Sequence, residues 1–270
     1  MSIADKLVEI AENVPKVHEA GFDKGKVVGL EEGYNEGYTE GFEAGEQSGD
    51  TFWSSYLQNG ERTNYQYAFA GAGWNENTFR PTCNIFPTNA AYMFLNCGYK
   101  ADLAQVLSDC GVELNFSRCG SYNGLFSGSA FTRLPTIVDT NSSHAFDLVK
   151  SCSNLVTVDE IRLMKPSISA PAANHYRTAF DGCEALKNIK FSGEYKITVN
   201  IGFKDSTLLT AESIVSIVEH LNETTSGMTV TFNQTAIDNA DWSTTAYASW
   251  EALKATKTNW TFTNEKGTVI

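Results

Sequence analysis

The chain has 270 residues, of which 42% are hydrophobic and 19% charged, and its formal net charge is −12. This length can bury a sizeable core, and the composition is that of a globular protein rather than a disordered one. The acidic balance argues against a surface that binds the phosphates of nucleic acid, and no stretch approaches the roughly 18 apolar residues of a membrane-spanning helix.

The first 50 residues carry most of this charge, with 12 acidic side chains and 4 lysines, a sum of −8. They open with an apolar seam in which Ile3, Leu7, Ile10, Val14 and Val17 are spaced 4, 3, 4 and 3. That spacing is typical of a short coiled coil or an amphipathic helix. The start lacks the basic region and apolar core of a secretory signal, so we expect a reduced protein made in a cytosol.

A glycine then stands at every fourth position. The eight are Gly21, Gly25, Gly29, Gly33, Gly37, Gly41, Gly45 and Gly49. Eight glycines handicap an isolated helix by roughly 6–8 kcal/mol, so such a helix persists only if something packs on the stripe. Tyr34, Tyr38 and Phe42 each follow a glycine and make a ridge beside it. The glycines leave a groove that repeats with the same period as this ridge. We therefore expect the ridge of one copy of the helix to pack into the groove of another copy.

Two other interpretations of the glycine segment compete with this one. A flexible linker rich in glycine and glutamate would need neither the strict register nor the large apolar residues. A phosphate-binding loop is the weaker alternative, because the surrounding glutamates would repel phosphate.

From about residue 90 the sequence carries a loose repeat. Its complete form, AFDGCEALKNIKF, places Phe180, Cys183, Leu186, Ile189 and Phe191 at offsets 0, 3, 6, 9 and 11. The anchor phenylalanines are at positions 94, 126, 146, 180 and 203. Their separations straddle the roughly 20–29-residue period of leucine-rich repeats. We expect phenylalanine and cysteine to stack on their equivalents in the next unit, with cysteine as a small buried hydrophobe.

The last part of the chain predicts a sealing unit for this solenoid. Thr210 is the expected N-cap of a helix, followed by a strand at 228–232, a helix around Trp250 and a strand at 260–263. Solenoids need such an atypical final unit to cover the exposed edge of the core.

The predicted fold class is therefore α+β. A long glycine-striped, coiled-coil-like helix would occupy residues 1–58 as an oligomerising and anchoring domain. An irregular leucine-rich-repeat-like solenoid would follow at 59–270, with an α/β C-terminal cap at 209–270.

Chemical motifs are sparse. The six cysteines form no C-x-x-C pair, and neither H-E-x-x-H nor G-x-S-x-G occurs. We therefore expect no cofactor, no metal site and no enzymatic activity. A pair of Cys183 with His175, and the paired carboxylates of a glycosidase, stay open as alternatives.

Binding is the better-supported expectation. Five aromatic residues lie in turns or in insertions between repeats, where aromatics meet sugars or partner proteins. These candidate receptor-binding residues are Trp74, Tyr99, Tyr122, Tyr176 and Tyr195. Each could instead cap the local core.

AFDGCEALKNIKF is similar to the leucine-rich repeats of bacterial BspA-like surface proteins. The whole chain also resembles a family of structural proteins from phages and prophages of gut Firmicutes. That resemblance rests on the order of the MSIADKLVEIAENVPKV opening, the glycine-spaced segment, FWSSYLQNGERTNYQYAFAG, the BspA-like repeats and TAESIVSIVEHLNETTSGMTVTF.

This resemblance implies a virion component, such as a tail fibre or another host-facing fibre, assembled in the host cytoplasm. The N-terminal helix would then join copies, as a trimer by our expectation, and contact other virion proteins. The repeat domain would recognise a host cell-surface glycan or protein without catalysis and without membrane insertion. The alternatives are a bacterial BspA-like cell-surface adhesin, a wall-degrading virion enzyme and an internal scaffold.

Overall fold

The structure is a computed structural model that describes residues 64–74, 79–81, 84–139, 146–164 and 176–270. The predicted N-terminal helix at 1–58, its glycine stripe with Tyr34, Tyr38 and Phe42, and the domain boundary at 58/59 lie outside the described residues. His175 lies outside them as well, and with it the alternative of a Cys183–His175 pair.

Short helices and strands follow one another along the described chain. The helices are α1 (Leu103–Cys110), α2 (Ala211–Glu219), α3 (Gln234–Asn239) and α4 (Trp250–Lys254). The strands are β1 (Arg133–Leu134), β2 (Ile137–Asp139), β3 (Thr157–Leu163), β4 (Asn188–Ser192), β5 (Ile201–Phe203), β6 (Met228–Phe232) and β7 (Trp260–Thr263). Two 3₁₀ turns, Trp242–Thr244 and Ala255–Lys257, complete the list.

The strands form two parallel sheets. In the first sheet β3 pairs with β4 and also with β1 and β2, which follow each other along it. In the second sheet the order is β5, β6, β7. Long connections separate most of these paired strands, as parallel pairing requires.

The predicted fold class is wrong. The described residues are mixed α/β, with parallel sheets and helices of at most nine residues, rather than an α+β arrangement with a separate cap. The segment 209–270 shares a sheet with the preceding part of the chain, because β6 pairs with β5. Pairing direction depends on how distant segments meet, which the local apolar pattern does not encode.

Upstream of the second sheet, the units are joined by hydrogen bonds between equivalent turns. Phe69 N donates to Met93 O at 2.8 Å, and Phe94 N donates to Leu125 O at 2.8 Å. The same pattern continues when Val149 N donates to Ala179 O at 3.0 Å. Each turn thus satisfies its polar backbone on the next turn, as strands do in a sheet.

A column of aromatic rings runs through the middle of these turns. Phe94 and Phe126 stack at 5.2 Å between ring centroids, and Phe180 and Phe203 at 4.5 Å. Phe203 and Phe232 continue the column at 6.0 Å. The predicted stacking of anchor phenylalanines is confirmed for Phe94 on Phe126 and for Phe180 on Phe203, and Phe232 extends the column beyond the predicted anchors. We call this set of rings the phenylalanine column.

The prediction that Phe146 belongs to this column is wrong. Val149 takes the anchor position, because it lies two residues after a left-handed residue, Asp147 (φ 57°), as Phe94 lies two after Tyr92 (φ 57°). Val149 is fully buried, whereas Phe146 is partly exposed. The spacing from Phe146 to Cys152 is six residues, against the three of the complete repeat, and this mismatch marks the shift.

The turns use left-handed backbone at two positions, four residues apart. The pairs with positive φ are Tyr67 with Gly71, Tyr92 with Asn96, Gly124 with Gly128, and Asp147 with Ser151. Glycine is required at position 124, where a Cβ would lie 2.6 Å from the ring of Tyr92 in the preceding turn. The Tyr92 ring therefore packs directly against the backbone of Gly124 in the next turn.

Buried thiols line the inner side of the column, as predicted for Cys97, Cys152 and Cys183. Cys152 Sγ donates to Phe126 O at 2.9 Å, and Cys183 Sγ donates to Val149 O at 3.1 Å. Cys152 and Cys183 thus each bond the anchor carbonyl of the preceding unit. The cysteines act as packing groups with weak donors.

Helix α2 covers the open edge of β4. Ser213 Oγ accepts from Ile189 N at 3.0 Å and donates to Lys187 O at 3.1 Å. One turn later Ser216 Oγ accepts from Phe191 N at 2.8 Å and donates to Phe191 O at 3.2 Å. Two serines on one helix face thereby replace the backbone of a further strand and end the first sheet.

Two phenylalanines test the reassigned anchor. We expect Phe126→Ala to lower the free energy of unfolding by roughly 3–5 kcal/mol, because it removes a buried ring from the column. Phe146→Ala should cost less than about 1 kcal/mol, because that ring is partly exposed. Urea unfolding of both variants measures the difference, and equal losses would contradict the assignment of Val149 as the anchor.

Candidate binding groove

A polar groove opens on the outer side of the stack, with a cavity volume of about 580 Å³. We call it the Gly202 groove. It is lined by Phe146, Arg177, Thr178, Asp181, Gly202, Lys204, Thr231, Asn264, Glu265 and Gly267.

The repeat geometry places these side chains. Phe146 and Arg177 occupy equivalent positions in successive turns, each three residues before its anchor, Val149 or Phe180. Residues 264–267 form the turn that follows β7. The groove therefore combines two stacked turns with the face of the second sheet.

The floor of the groove is flat because Gly202 has no side chain. A Cβ at this position would lie 3.1 Å from Arg177 O, closer than nearly all real Cβ contacts. Beside it, the hydroxyls of Thr231 and Thr263 are 3.0 Å apart and share one hydrogen bond. Each hydroxyl keeps further capacity for bonds to a ligand.

Two carboxylates of the groove are already engaged. Asp181 Oδ2 lies 2.9 Å from Lys204 Nζ, and this hydrogen bond raises the pKa of Lys204. Glu265 Oε2 accepts from Gln234 N at 2.9 Å, and that bond lowers the pKa of Glu265. These bonds hold both carboxylates in fixed orientations at the groove.

Arg177 is exposed at the groove wall. Within the described part of the chain, its guanidinium makes no ion pair or hydrogen bond. Its charge lowers the pKa of Lys204, against the larger effect of Asp181, so the two cations lie close enough to repel.

A second groove lies beside α2, with a volume of about 910 Å³. It is bordered by β3, β4, α2 and residues 244–246. The carboxylates of Glu212 and Glu219 line its helical wall. His220 lies at the end of α2, where its Nδ1 is 2.9 Å from Ser216 O.

The five aromatic candidates from the sequence do not line either groove. Trp74, Tyr122 and Tyr176 are buried, with exposed fractions of 8%, 0% and 3%, and Tyr99 and Tyr195 are partly buried against the core. The Tyr122 hydroxyl donates to the buried carboxylate of Asp139. Because a buried ring offers no face to a sugar, we leave the three buried residues out of the proposed binding surface.

The apolar repeat pattern does not predict the groove. It places Phe146 in the core, and it gives no role to Arg177, which directly follows Tyr176. The signal available in the sequence is the spacing Tyr-x-x-x-Phe, present as Tyr65 to Phe69, Tyr122 to Phe126 and Tyr176 to Phe180. It marks the tyrosines as a second core column and places the residue after each of them on the outside.

Four of the described thiols, those of Cys97, Cys119, Cys152 and Cys183, are buried and unsuited to nucleophilic chemistry. Burial raises the pKa of Cys97, Cys119 and Cys152 to about 11 and that of Cys183 well above its usual value. In the same part of the chain, no three His, Cys, Asp or Glu side chains are grouped so that they could hold a metal ion. None of the described helices is both long and apolar enough to cross a membrane.

No protein-family model matches this chain, and neither a curated protein nor a solved structure matches it.

His220 should make folding sensitive to mild acid. Burial lowers the pKa of its imidazole, and the charges of Lys196 and Lys257 lower it further, while the Ser216 carbonyl and Glu219 act in the opposite direction. The folded protein therefore resists protonation as the pH falls through the ordinary value of 6.5, whereas the unfolded chain takes up the proton. This contribution to stability is complete above that pH and declines below it.

The measurement is urea unfolding, followed by tryptophan fluorescence, at a series of pH values between about 8 and 5. We expect His220→Gln to flatten the fall in stability below pH 6.5, while the acid response of the carboxylates stays common to both proteins. Parallel stability curves for the two proteins would contradict the role of His220.

Proposed function

We propose that this protein is a structural component of a phage or prophage virion that binds the host surface through the Gly202 groove. The observation that carries the binding role is the displacement of Phe146 from the phenylalanine column to a groove wall beside Arg177. An aromatic ring, a flat glycine floor, hydroxyls and oriented charges are the groups with which proteins hold carbohydrates and peptides.

The ligand in this proposal is a glycan or a protein of the host cell surface, and the groove binds it without catalysis. Its volume of about 580 Å³ falls within the roughly 300–1,000 Å³ of small-ligand sites. The virion setting rests on the sequence resemblance to phage and prophage structural proteins. Assembly in the host cytoplasm belongs to the same proposal.

Self-association is the second part of the proposal. The glycine-spaced segment at 21–49 would join copies of the chain, as a trimer, and contact other virion proteins. Several grooves would then act on one surface, and the linked sites would raise the avidity without any new contact. Weak binding by each single groove is therefore compatible with firm attachment of the whole oligomer.

A steric substitution tests the groove. We expect Thr231→Tyr to abolish binding of the fluorescently labelled full-length protein to a panel of gut Firmicutes, because the new ring fills the groove. The matched control is Thr229→Tyr, two residues earlier on the same face of β6 but outside the groove lining. Flow cytometry measures bound protein. Absence of binding by the unmodified protein to every strain, or equal binding by both variants, would contradict the proposal.

Light scattering tests the self-association. The full chain should have a mass close to three times 29.6 kDa. Replacing Gly33 and Gly37 with valine should lower that mass, because β-branched side chains prevent close approach along the stripe. Gln47→Val, off the glycine register, is the control. A monomeric full chain would contradict an assembly role for this segment.

A further inference from the structure

We infer that the ligand of the Gly202 groove is an acidic carbohydrate whose carboxylate is bound by Arg177. This inference rests on the proposed function, since it names the class of ligand that the groove would take. It assigns a specificity role to Arg177 and a stacking role to Phe146.

The charged side chains that line the groove differ in whether they have a partner. Lys204 is committed to Asp181 at 2.9 Å, and Glu265 is committed to the backbone of Gln234. Arg177 makes no such contact with another described residue, although it lies close enough to Lys204 to lower its pKa. Arg177 is therefore the charged side chain of the groove lining that has no hydrogen bond or ion pair with a described residue. An anionic ligand group placed against Arg177 supplies that partner.

The geometry of the Arg177 guanidinium favours a carboxylate as its partner. A guanidinium presents its N–H donors in a planar fork that fits a carboxylate through two parallel hydrogen bonds. Asp181 and Glu265 border the same groove and would repel a ligand that carries several negative charges at one point. A singly charged carboxylate matches this environment better than a phosphate monoester.

The groove lining also holds aromatic, hydroxyl and amide groups. Phe146 occupies the position equivalent to Arg177 in the preceding turn, and both residues line the groove. Thr178, Thr231 and Asn264 add hydroxyl and amide groups around the glycine floor. A sugar ring offers apolar C–H groups to an aromatic face and hydroxyls to such polar groups. A uronic-acid residue combines both with a carboxylate.

Three probes separate the chemistry. The full-length protein is titrated by calorimetry with oligogalacturonate, with the same oligomer fully methyl-esterified, and with a glycerol phosphate oligomer. We expect binding of the carboxylate form only, weakening as salt is added because the contact is a partly exposed ion pair. Equal affinity for the methyl ester would overturn the inference, because the ester has the same ring and no charge. Preference for the glycerol phosphate oligomer, or no binding of any probe, would overturn it too.

Variants locate the contact. Arg177→Ala should weaken oligogalacturonate binding roughly tenfold or more, because a hydrogen bond to a charged group is lost. Arg177→Lys should recover only part of it, since an ammonium cannot make the bidentate pair. Phe146→Ala should weaken binding while leaving its salt dependence unchanged. Arg118→Ala, which removes an exposed arginine outside the groove, is the control and should bind as the unmodified protein does.

Failure of this inference is distinguishable from failure of the proposed function. Suppose that Thr231→Tyr blocks cell binding and Arg177→Ala leaves it unchanged. This result would contradict carboxylate binding by Arg177 and would retain the groove as the binding site. Absence of cell binding by the unmodified protein would remove the proposed function as well.

Discussion

The phenylalanine column is the constraint on which the rest of the structure depends. A single turn of this chain cannot bury its own anchor ring, so each ring is covered by the anchor of the neighbouring turns, as in Phe94 on Phe126 and Phe180 on Phe203. The backbone follows the same rule, since the amides of Phe94, Phe126 and Val149 donate to the next turn. Ring stacking and backbone pairing therefore fix one spacing, and every surface feature inherits its position from that stack.

The Gly202 groove is a consequence of one irregular unit in this stack. Valine fills the anchor position at 149, and the phenylalanine of that unit, Phe146, stands three residues earlier on the outside. The next turn places Arg177 at the equivalent position, and the loss of a side chain at Gly202 opens the floor between them and β6. A departure from the repeat thus creates a ligand site on an otherwise regular surface, where loops and turns commonly carry function.

The same packing explains why the residues that suggest chemistry have structural roles. Cys152 and Cys183 bond the anchor carbonyls beneath them, and burial keeps both as neutral thiols. Ser213 and Ser216 bond the backbone edge of β4 and stop the first sheet. The single proton of each serine hydroxyl is donated to a backbone carbonyl of that edge.

The sequence by itself determined the local features: the Phe-x-x-Cys turns, the buried thiols, the Thr210 cap of α2 and the strands of 228–232 and 260–263. These follow from the spacing of a few neighbouring residues, which chemistry and backbone geometry restrict. Only the tertiary structure decided the parallel sheets, the α/β class, the choice of Val149 over Phe146 and the burial of Tyr122 and Tyr176. Each of these depends on which distant turn lies alongside, and the same local pattern is compatible with more than one neighbour. The local pattern does not indicate the groove for that reason, since its residues come from five separate stretches between 146 and 267 that meet only when the turns are stacked.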